Sequence, residues 1–144
     1  MVVLENKAID GFKFTIDSDD SITYAMRARS EMLLGACLAE IGETAEGLKR
    51  TTHGLRLLER EEDENYRDAR ALYFQGLALL RDGQFEGARY FLLEARNQIA
   101  EDPDLHEIEI KIAIEKELAA AYALLDEKAK SKEIYRRLFW VENQ

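Results

Sequence analysis

The chain of 144 residues is poor in cysteine and proline, with one of each. This scarcity excludes collagen-like, disulfide-rich and proline-rich linker sequences. Cys37 has no second cysteine with which to form an intramolecular disulfide, which is typical of a reducing compartment. No stretch reaches the roughly 20 apolar residues that a membrane-spanning helix needs, and the first residues lack the apolar core of a signal peptide. We therefore expect a cytoplasmic protein.

Positive charge is also scarce, because 20 Lys and Arg stand against 29 Asp and Glu, a net charge of −9. Nucleic acids and anionic membranes bind basic surfaces, so we expect neither as a partner. Ala, Leu, Glu and Arg are abundant, and these residues favour helices. With 47% hydrophobic residues, the chain is long enough to form one all-α domain with a buried core.

Residues 1–20 differ from the rest of the chain. Residues 2–4 and 12–16 are short runs of β-prone residues, and Asp10 and Gly11 between them form a turn signal. This pattern favours an N-terminal arm or small hairpin, and a loosely ordered tail is the alternative. The helical domain is expected over residues 21–144.

Six helices with short joints are predicted in this domain. Gly42 and Gly83 stand where glycine commonly ends a helix. Asn65 is expected to cap the third helix, and Asp104 with Glu107 resembles a capping box before the fifth. The six helices are predicted over residues 22–41, 44–60, 66–82, 85–101, 105–125 and 127–142.

One segment fits two kinds of secondary structure. Isoleucines alternate with other residues over positions 108–114, which is the period of a half-buried strand. However, no glycine or proline interrupts residues 104–125, and the three alanines at 119–121 strongly favour a helix. A helix packed between two neighbours needs apolar residues on two sides. The helix is therefore the favoured prediction.

The sequence contains an internal repeat. Residues 34–38 align with residues 75–79 at a shift of 41 positions, and the same shift places Gly42 on Gly83. A third copy, around Leu118, follows at a shift of 43. Each copy corresponds to one pair of helices.

The middle copy has the small and large side chains that paired helices need. Gly76 on one helix, and Ala88 and Ala95 on the other, allow the two helices to approach closely. Gly83 permits a tight reversal of the chain. The residues that would fill the remaining space are Leu72, Leu79, Phe85 and Leu92.

This spaced set resembles the tetratricopeptide repeat (TPR), and residues 69–102 match its 34-residue pattern. Copies at about 28–61 and 112–144 match less fully. Gly47 and Gly54 stand in the first copy where alanine is usual, and each costs about 1 kcal/mol of helix propensity. The spacings exceed 34 by 7 and 9 residues, so the first helices of the second and third copies look elongated. The resemblance implies an α-solenoid of three TPR-like antiparallel helix pairs.

The resemblance also implies a function, because the first helices of TPR pairs line a concave groove that receives a peptide or helix. We therefore expect a non-enzymatic adaptor or co-chaperone-like module whose partner has acidic and apolar side chains. The alternative is that Met32 and Leu77 belong to the core and that the cations pair with nearby carboxylates. The residues expected in the groove are Arg29, Met32, Ala36, Arg70, Tyr73, Leu77, Lys116 and Ala120.

The sixth helix suggests a second surface. Phe139 belongs to its apolar stripe, whereas Trp140 falls on the opposite, charged face at 100° per residue. A tryptophan exposed at the end of a repeat array indicates a partner surface or self-association. The alternative function is therefore a homo-oligomeric scaffold, such as a homodimer, and the plainer interpretation is a frayed end with Trp140 folded onto Arg136 or Arg137.

Residue patterns typical of catalysis are scarce. His53 and His106 have no cysteine or second histidine at the spacing of metal ligands. The chain has no glycine-rich phosphate loop and no recognisable Ser/His/Asp set. We expect no metal, no cofactor and no catalytic residue, and a small helical enzyme is the third hypothesis.

Overall fold

A computed structural model describes residues 24–60 and 68–142, with the backbone alone for 140–142. The N-terminal arm predicted for residues 1–20 lies outside the described residues. Those described form six α-helices and no strand, so the all-α prediction is confirmed. The helices are α1 (Tyr24–Glu40), α2 (Thr44–Arg60), α3 (Ala69–Arg81), α4 (Phe85–Asn97), α5 (Leu105–Leu124) and α6 (Lys128–Glu142).

The predicted helix ends agree with the structure to within a few residues. α2 covers its predicted range, 44–60. α4 is shorter than predicted, because it ends at Asn97 rather than near residue 101. A tight turn closes it, in which the Gln98 N–H donates to the Ala95 carbonyl oxygen at 3.1 Å. The connection to α5 is therefore longer than the sequence indicates.

The N-cap of α3 differs from the predicted one. The Asp68 carboxylate accepts a hydrogen bond from the Ala71 N–H at 2.8 Å, so the N-cap of α3 is Asp68. The predicted cap, Asn65, lies outside the described residues. The Asp104 carboxylate accepts from the Glu107 N–H at 2.8 Å, which confirms the predicted cap of α5.

The segment with two possible structures is a helix, because residues 108–114 lie within α5. Ile114 is fully buried against α3 and α4, whereas Glu109 and Lys111 are exposed. Ile108 and Ile112 are half-buried. The alternating isoleucines therefore place apolar side chains on two sides of one helix.

Consecutive helices form three hairpins, α1–α2, α3–α4 and α5–α6, and the three connecting turns have the same geometry. Each turn contains one residue with positive φ, namely Gly42 (98°), Gly83 (81°) and Asp126 (63°). These positions are 41 and 43 residues apart, which are the two shifts of the sequence repeat. The same type of helix C-cap hydrogen bond occurs once in each turn. The donors and acceptors are Glu43 N–H and Leu38 O, Gln84 N–H and Leu79 O, and Glu127 N–H and Tyr122 O, at 2.8–2.9 Å.

The hairpins pack in chain order. α3 contacts both α1 and α2, and α5 contacts both α3 and α4. Within residues 24–60 and 68–142, no contact joins the first hairpin to the third. The first helices of the hairpins, α1, α3 and α5, therefore lie side by side as a row.

The glycines that weaken the repeat pattern lie where α1 and α2 touch. A Cβ atom on Gly47 would lie 2.6 Å from the Gly35 carbonyl oxygen, and one on Gly35 would lie 2.6 Å from the Gly47 carbonyl oxygen. A Cβ on Gly54 would lie 2.7 Å from the Ala28 carbonyl oxygen. The backbones of the two helices are thus in direct contact, and this close packing explains why alanine is absent from both α2 positions.

The second hairpin packs a side chain against its glycine instead. A Cβ on Gly76 would lie 2.8 Å from Leu92 Cγ, so the leucine of α4 occupies the space that glycine leaves on α3. Ala88 and Ala95 are fully buried beside it. The small residues predicted to allow close approach in the middle copy all lie in the core.

We expect Gly47→Ala to destabilise the protein by about 2 kcal/mol, because the added methyl group collides with backbone atoms that cannot move aside. Gly87→Ala is the matched control on α4, where the nearest atom to the new Cβ would be Leu79 Cδ1 at 3.4 Å, an ordinary van der Waals distance. Because alanine has a higher helix propensity than glycine, Gly87→Ala should leave the stability of the protein unchanged or raise it by up to about 1 kcal/mol. Urea unfolding of both variants measures the difference, and an equal effect of the two substitutions would contradict the close packing of α1 and α2.

Asp126→Gly should stabilise the protein by about 1 kcal/mol. An aspartate with φ of 63° is strained, whereas glycine adopts this conformation freely. The substitution also removes a negative charge from the C-terminal end of α5, where the helix dipole disfavours it. Asp126→Asn removes the charge but keeps a side chain, so its gain should be smaller. Thermal unfolding tests the order, and a loss of stability in Asp126→Gly would show that Asp126 is not strained in this turn.

Candidate binding cleft

A cleft of about 230 Å³ lies between α1 and α3. It brings together three residues of the predicted groove, Arg29 and Met32 of α1 and Arg70 of α3. Four of its lining residues are apolar, two are arginines and one is a serine. The full lining is Arg29, Ser30, Met32, Leu33, Arg70, Ala71 and Phe74.

The floor of the cleft is part of the protein core. Met32 and Ala71 are 1% and 2% exposed, and both belong to an apolar cluster that also contains Leu58 of α2. Leu33 and Phe74 are half-buried and form the walls. The adjacent packing of α1 and α3 thus builds an apolar depression with a fixed base.

The two arginines at the cleft differ in their surroundings. Arg29 Nη1 lies 2.7 Å from Asp68 Oδ2, so its charge is offset by the residue that caps α3. Arg70 is exposed, and its Cζ lies 5.8 Å from the centroid of the Phe74 ring, within reach of a cation–π contact. Arg70 therefore presents a positive charge beside an aromatic wall.

The other predicted groove residues do not line this cleft. Tyr73 is half-buried on α3 and packs partly against core clusters. Leu77 is 5% exposed, so it has little surface to offer a partner. Lys116 is exposed on α5 and lines a different cavity, with Tyr135 and Phe139 of α6.

A charged network that the sequence analysis did not identify joins the three first helices. Arg81, the last residue of α3, donates two hydrogen bonds of 2.9 Å to the Glu117 carboxylate of α5. Its Nη2 also lies 3.0 Å from Glu40 Oε1 of α1. The hydrogen bond to Glu117 raises the pKa of Arg81, and the guanidinium stays charged. Only the fold reveals this set, because its members are 36 or more positions apart.

The same network acts on Tyr73. Burial, followed by the charges of Glu117 and Glu40, raises the pKa of Tyr73 to about 12. An unfolded tyrosine loses its proton near pH 10. Tyr73 therefore contributes stability below pH 10, and this contribution is lost as the pH rises toward 12. The hydroxyl group is neutral throughout the physiological range.

Two buried carboxylates occupy the same position of the repeat, in α1 and α5. Glu31 is 6% exposed and lies 2.7 Å from His53 Nδ1. Glu115 is 5% exposed and lies 3.6 Å from Arg96 of α4 and from Arg137 of α6. Glu31 also lies 3.9 Å from Arg50 Nη1. With these partners, both carboxylates are explicable as structural groups.

Neither segment, 24–60 nor 68–142, contains a group of three or more His, Cys, Asp or Glu that could hold a metal ion. In the same two segments, every helix is too short or too polar to pass through a bilayer.

The predicted self-association surface is described in part. Phe139 is 70% exposed on α6, whereas the side chain of Trp140 lies outside the described part of the chain. Self-association through these two residues stays a prediction.

Comparisons of the chain with protein-family models, curated proteins and solved structures find no match. The resemblance to TPR proteins therefore depends on the residues of this chain alone.

We expect the Arg81–Glu117 pair to have a coupling energy of about 1.5 kcal/mol in a double-mutant cycle with alanine, because the contact is bidentate and half-buried. The control pair is Arg50–Glu46, a one-turn contact on α2 with 3.1 Å between its charged atoms. Pairs of this type couple by about 0.3–0.5 kcal/mol. Urea unfolding of the single and double variants gives both energies. Equal values would mean that Arg81 does not hold the row of helices together.

Proposed function

We propose that this protein is a non-enzymatic interaction module, an adaptor or co-chaperone-like protein, which binds a peptide or helix of a partner protein. The observation that carries the proposal is the cleft between α1 and α3, where an apolar floor, an aromatic wall and two arginines converge. A site of this composition suits recognition of a chain segment by one inserted side chain and one charge contact.

A TPR-like solenoid is part of the proposal. Three hairpins with matching turns, packed in chain order, are the arrangement that such a solenoid requires. The row of α1, α3 and α5 corresponds to the helices that line the groove in TPR proteins. The cleft lies between the first two helices of this row, which supports its assignment as a segment of the groove.

The cleft also indicates the chemistry of the partner. Its volume of about 230 Å³ accommodates one large apolar side chain, whose burial contributes about 1.5–3 kcal/mol. Arg70 stands at the rim and is placed to bind a carboxylate that follows or precedes this side chain. The proposed partner segment therefore combines a leucine or an aromatic residue with a nearby aspartate or glutamate.

Location and partner class follow from composition. A net charge of −9 disfavours nucleic acids and anionic membranes as partners. We place the protein in the cytoplasm, where its single cysteine stays reduced.

The test is a selection of random peptides displayed on phage against the full-length protein. We expect enriched sequences to pair Leu, Phe or Trp with Asp or Glu, and to bind with micromolar affinity in isothermal titration calorimetry. Arg29→Gln combined with Arg70→Glu should weaken this binding at least tenfold, a loss of about 1.4 kcal/mol or more. The physical reason is that the variant replaces the attraction for a carboxylate with repulsion.

The matched control is Lys49→Glu combined with Arg56→Gln, which changes the net charge by the same amount on the exposed face of α2. It should leave the affinity unchanged, and circular dichroism should show intact helices in both variants. Enrichment of basic peptides, or an equal loss in the two variants, would contradict the assignment of the cleft.

A further inference from the structure

The ion pair between Arg29 and Asp68 joins the two helices that form the cleft. Arg29 lies on α1 and lines the cleft, and Asp68 stands immediately before the first residue of α3. Their charged atoms, Nη1 and Oδ2, are 2.7 Å apart, and the two side chains are 41% and 37% exposed. An exposed pair of this kind contributes little to stability, but it offsets the charge that Arg29 presents to a partner.

The two oxygens of the Asp68 carboxylate have different partners. Oδ1 accepts the hydrogen bond from the Ala71 N–H at 2.8 Å that caps α3, whereas Oδ2 faces Arg29. The cap fixes the side chain at the first turn of α3, which also contains Arg70 and Ala71 of the cleft lining. Asp68 is therefore held at a position where its carboxylate binds Arg29.

The repeat places a different charge at the matching position beside the second arginine. Arg70 follows Arg29 by 41 residues, which makes the two arginines equivalent in the repeat. The residue of the third hairpin that is equivalent to Asp68, 43 positions further on, is Lys111, an exposed cation on α5. The chain thus has an anion in this position at the first arginine and a cation at the second.

A carboxylate of a partner would meet different conditions at the two arginines. At Arg70 it would approach a guanidinium that lies over the Phe74 ring, with 5.8 Å from Cζ to the ring centroid. At Arg29 it would lie beside Asp68, and the repulsion between two adjacent carboxylates offsets the attraction of the guanidinium. A second acidic residue in a partner segment should therefore add little to the affinity.

We infer that Asp68 is a specificity-determining residue of the cleft, which occupies the acidic position at Arg29 and limits the partner to one carboxylate, bound at Arg70. This inference rests on the proposed function, because it concerns the segment that the cleft binds. It narrows the partner class to segments in which a leucine or an aromatic residue has an acidic neighbour on one side only. A segment with acidic residues on both sides gains little from the second.

The probes are three labelled synthetic peptides, each with one phenylalanine in the centre of a Gly and Ser sequence. One has an aspartate two positions before the phenylalanine, one has it two positions after, and the third has both. The two aspartates of the third peptide lie roughly 13 Å apart in an extended chain. Because α1 and α3 are in contact and packed helices lie about 8–10 Å apart, the flexible side chains of Arg29 and Arg70 can reach both aspartates.

Fluorescence anisotropy with the full-length protein measures the three affinities. With the unchanged protein, the two-aspartate peptide should bind no tighter than the better of the single-aspartate peptides. With Asp68→Asn it should bind about threefold to fivefold tighter than that peptide, because Arg29 becomes available to the second carboxylate. Asparagine is as good an N-cap as aspartate, so circular dichroism should show intact helices.

Two further variants separate the ion pair from a general effect of charge. Arg29→Gln removes the cation that Asp68 faces, so the two-aspartate peptide should bind more weakly than the better single-aspartate peptide. Arg29→Gln combined with Asp68→Asn should bind these two peptides equally, because neither charge remains. The matched control is Glu46→Gln, which removes a carboxylate from the 3.1 Å pair with Arg50 on α2 and should leave the preference of the unchanged protein as it is.

Any of three results would overturn this inference alone. A two-aspartate peptide that binds the unchanged protein several-fold more tightly would show that the partner displaces Asp68 from Arg29. An Asp68→Asn variant with the preference of the unchanged protein, or an equal gain in Glu46→Gln, would show that Asp68 does not set the preference. The proposed function survives these results, because the single-aspartate peptides still bind. If none of the three peptides binds, the proposed function and this inference fail together.

Discussion

Close contact between paired helices at residues with little or no side chain is the constraint on which the rest of this structure depends. In the first hairpin the backbones of α1 and α2 touch at Gly35 and Gly47. In the second, Leu92 occupies the space left by Gly76. Because these contacts set how near the two helices of a hairpin lie, they also set which side chains point toward the next hairpin. The row of α1, α3 and α5, and the cleft within it, follow from that spacing.

The two ends of this row have different chemistry. Arg29 and Arg70 lie toward the beginnings of α1 and α3, where the core is open enough to leave the cleft. Glu40 and Arg81 are the last residues of the same helices, and with Glu117 they form a closed network. The charges of the network pair with one another across the three helices, whereas Arg70 is exposed beside Phe74. One end of the row is therefore joined by ion pairs, and the other contains the proposed binding cleft.

The sequence predicts the helices and the overall pairing well, because these depend on local signals. Gly42 and Gly83 end helices through a backbone preference that each residue has by itself. Asp126 adopts the same conformation without being glycine, so the break between the fifth and sixth helices was predicted at this residue but its positive φ was not. The Arg81 network and the buried Glu31 and Glu115 depend on neighbours far along the chain, and spacing alone does not reveal them. In the cleft, the arginines and Met32 were predicted. The aromatic residue was predicted as Tyr73, whereas its neighbour Phe74 lines the cleft and Tyr73 packs against core clusters.

The contact between Arg96 and Glu115 has a further consequence, for the order in which the hairpins assemble. The first hairpin has Leu55 where the second has Arg96, so only the second offers a cation to the buried carboxylate of α5. If the third hairpin docked on the first, in a misfolded monomer or between two chains, Glu115 would lose one of its two compensating charges inside an apolar contact. The contact between Arg96 and Glu115 therefore favours docking of the third hairpin on the second over docking on the first.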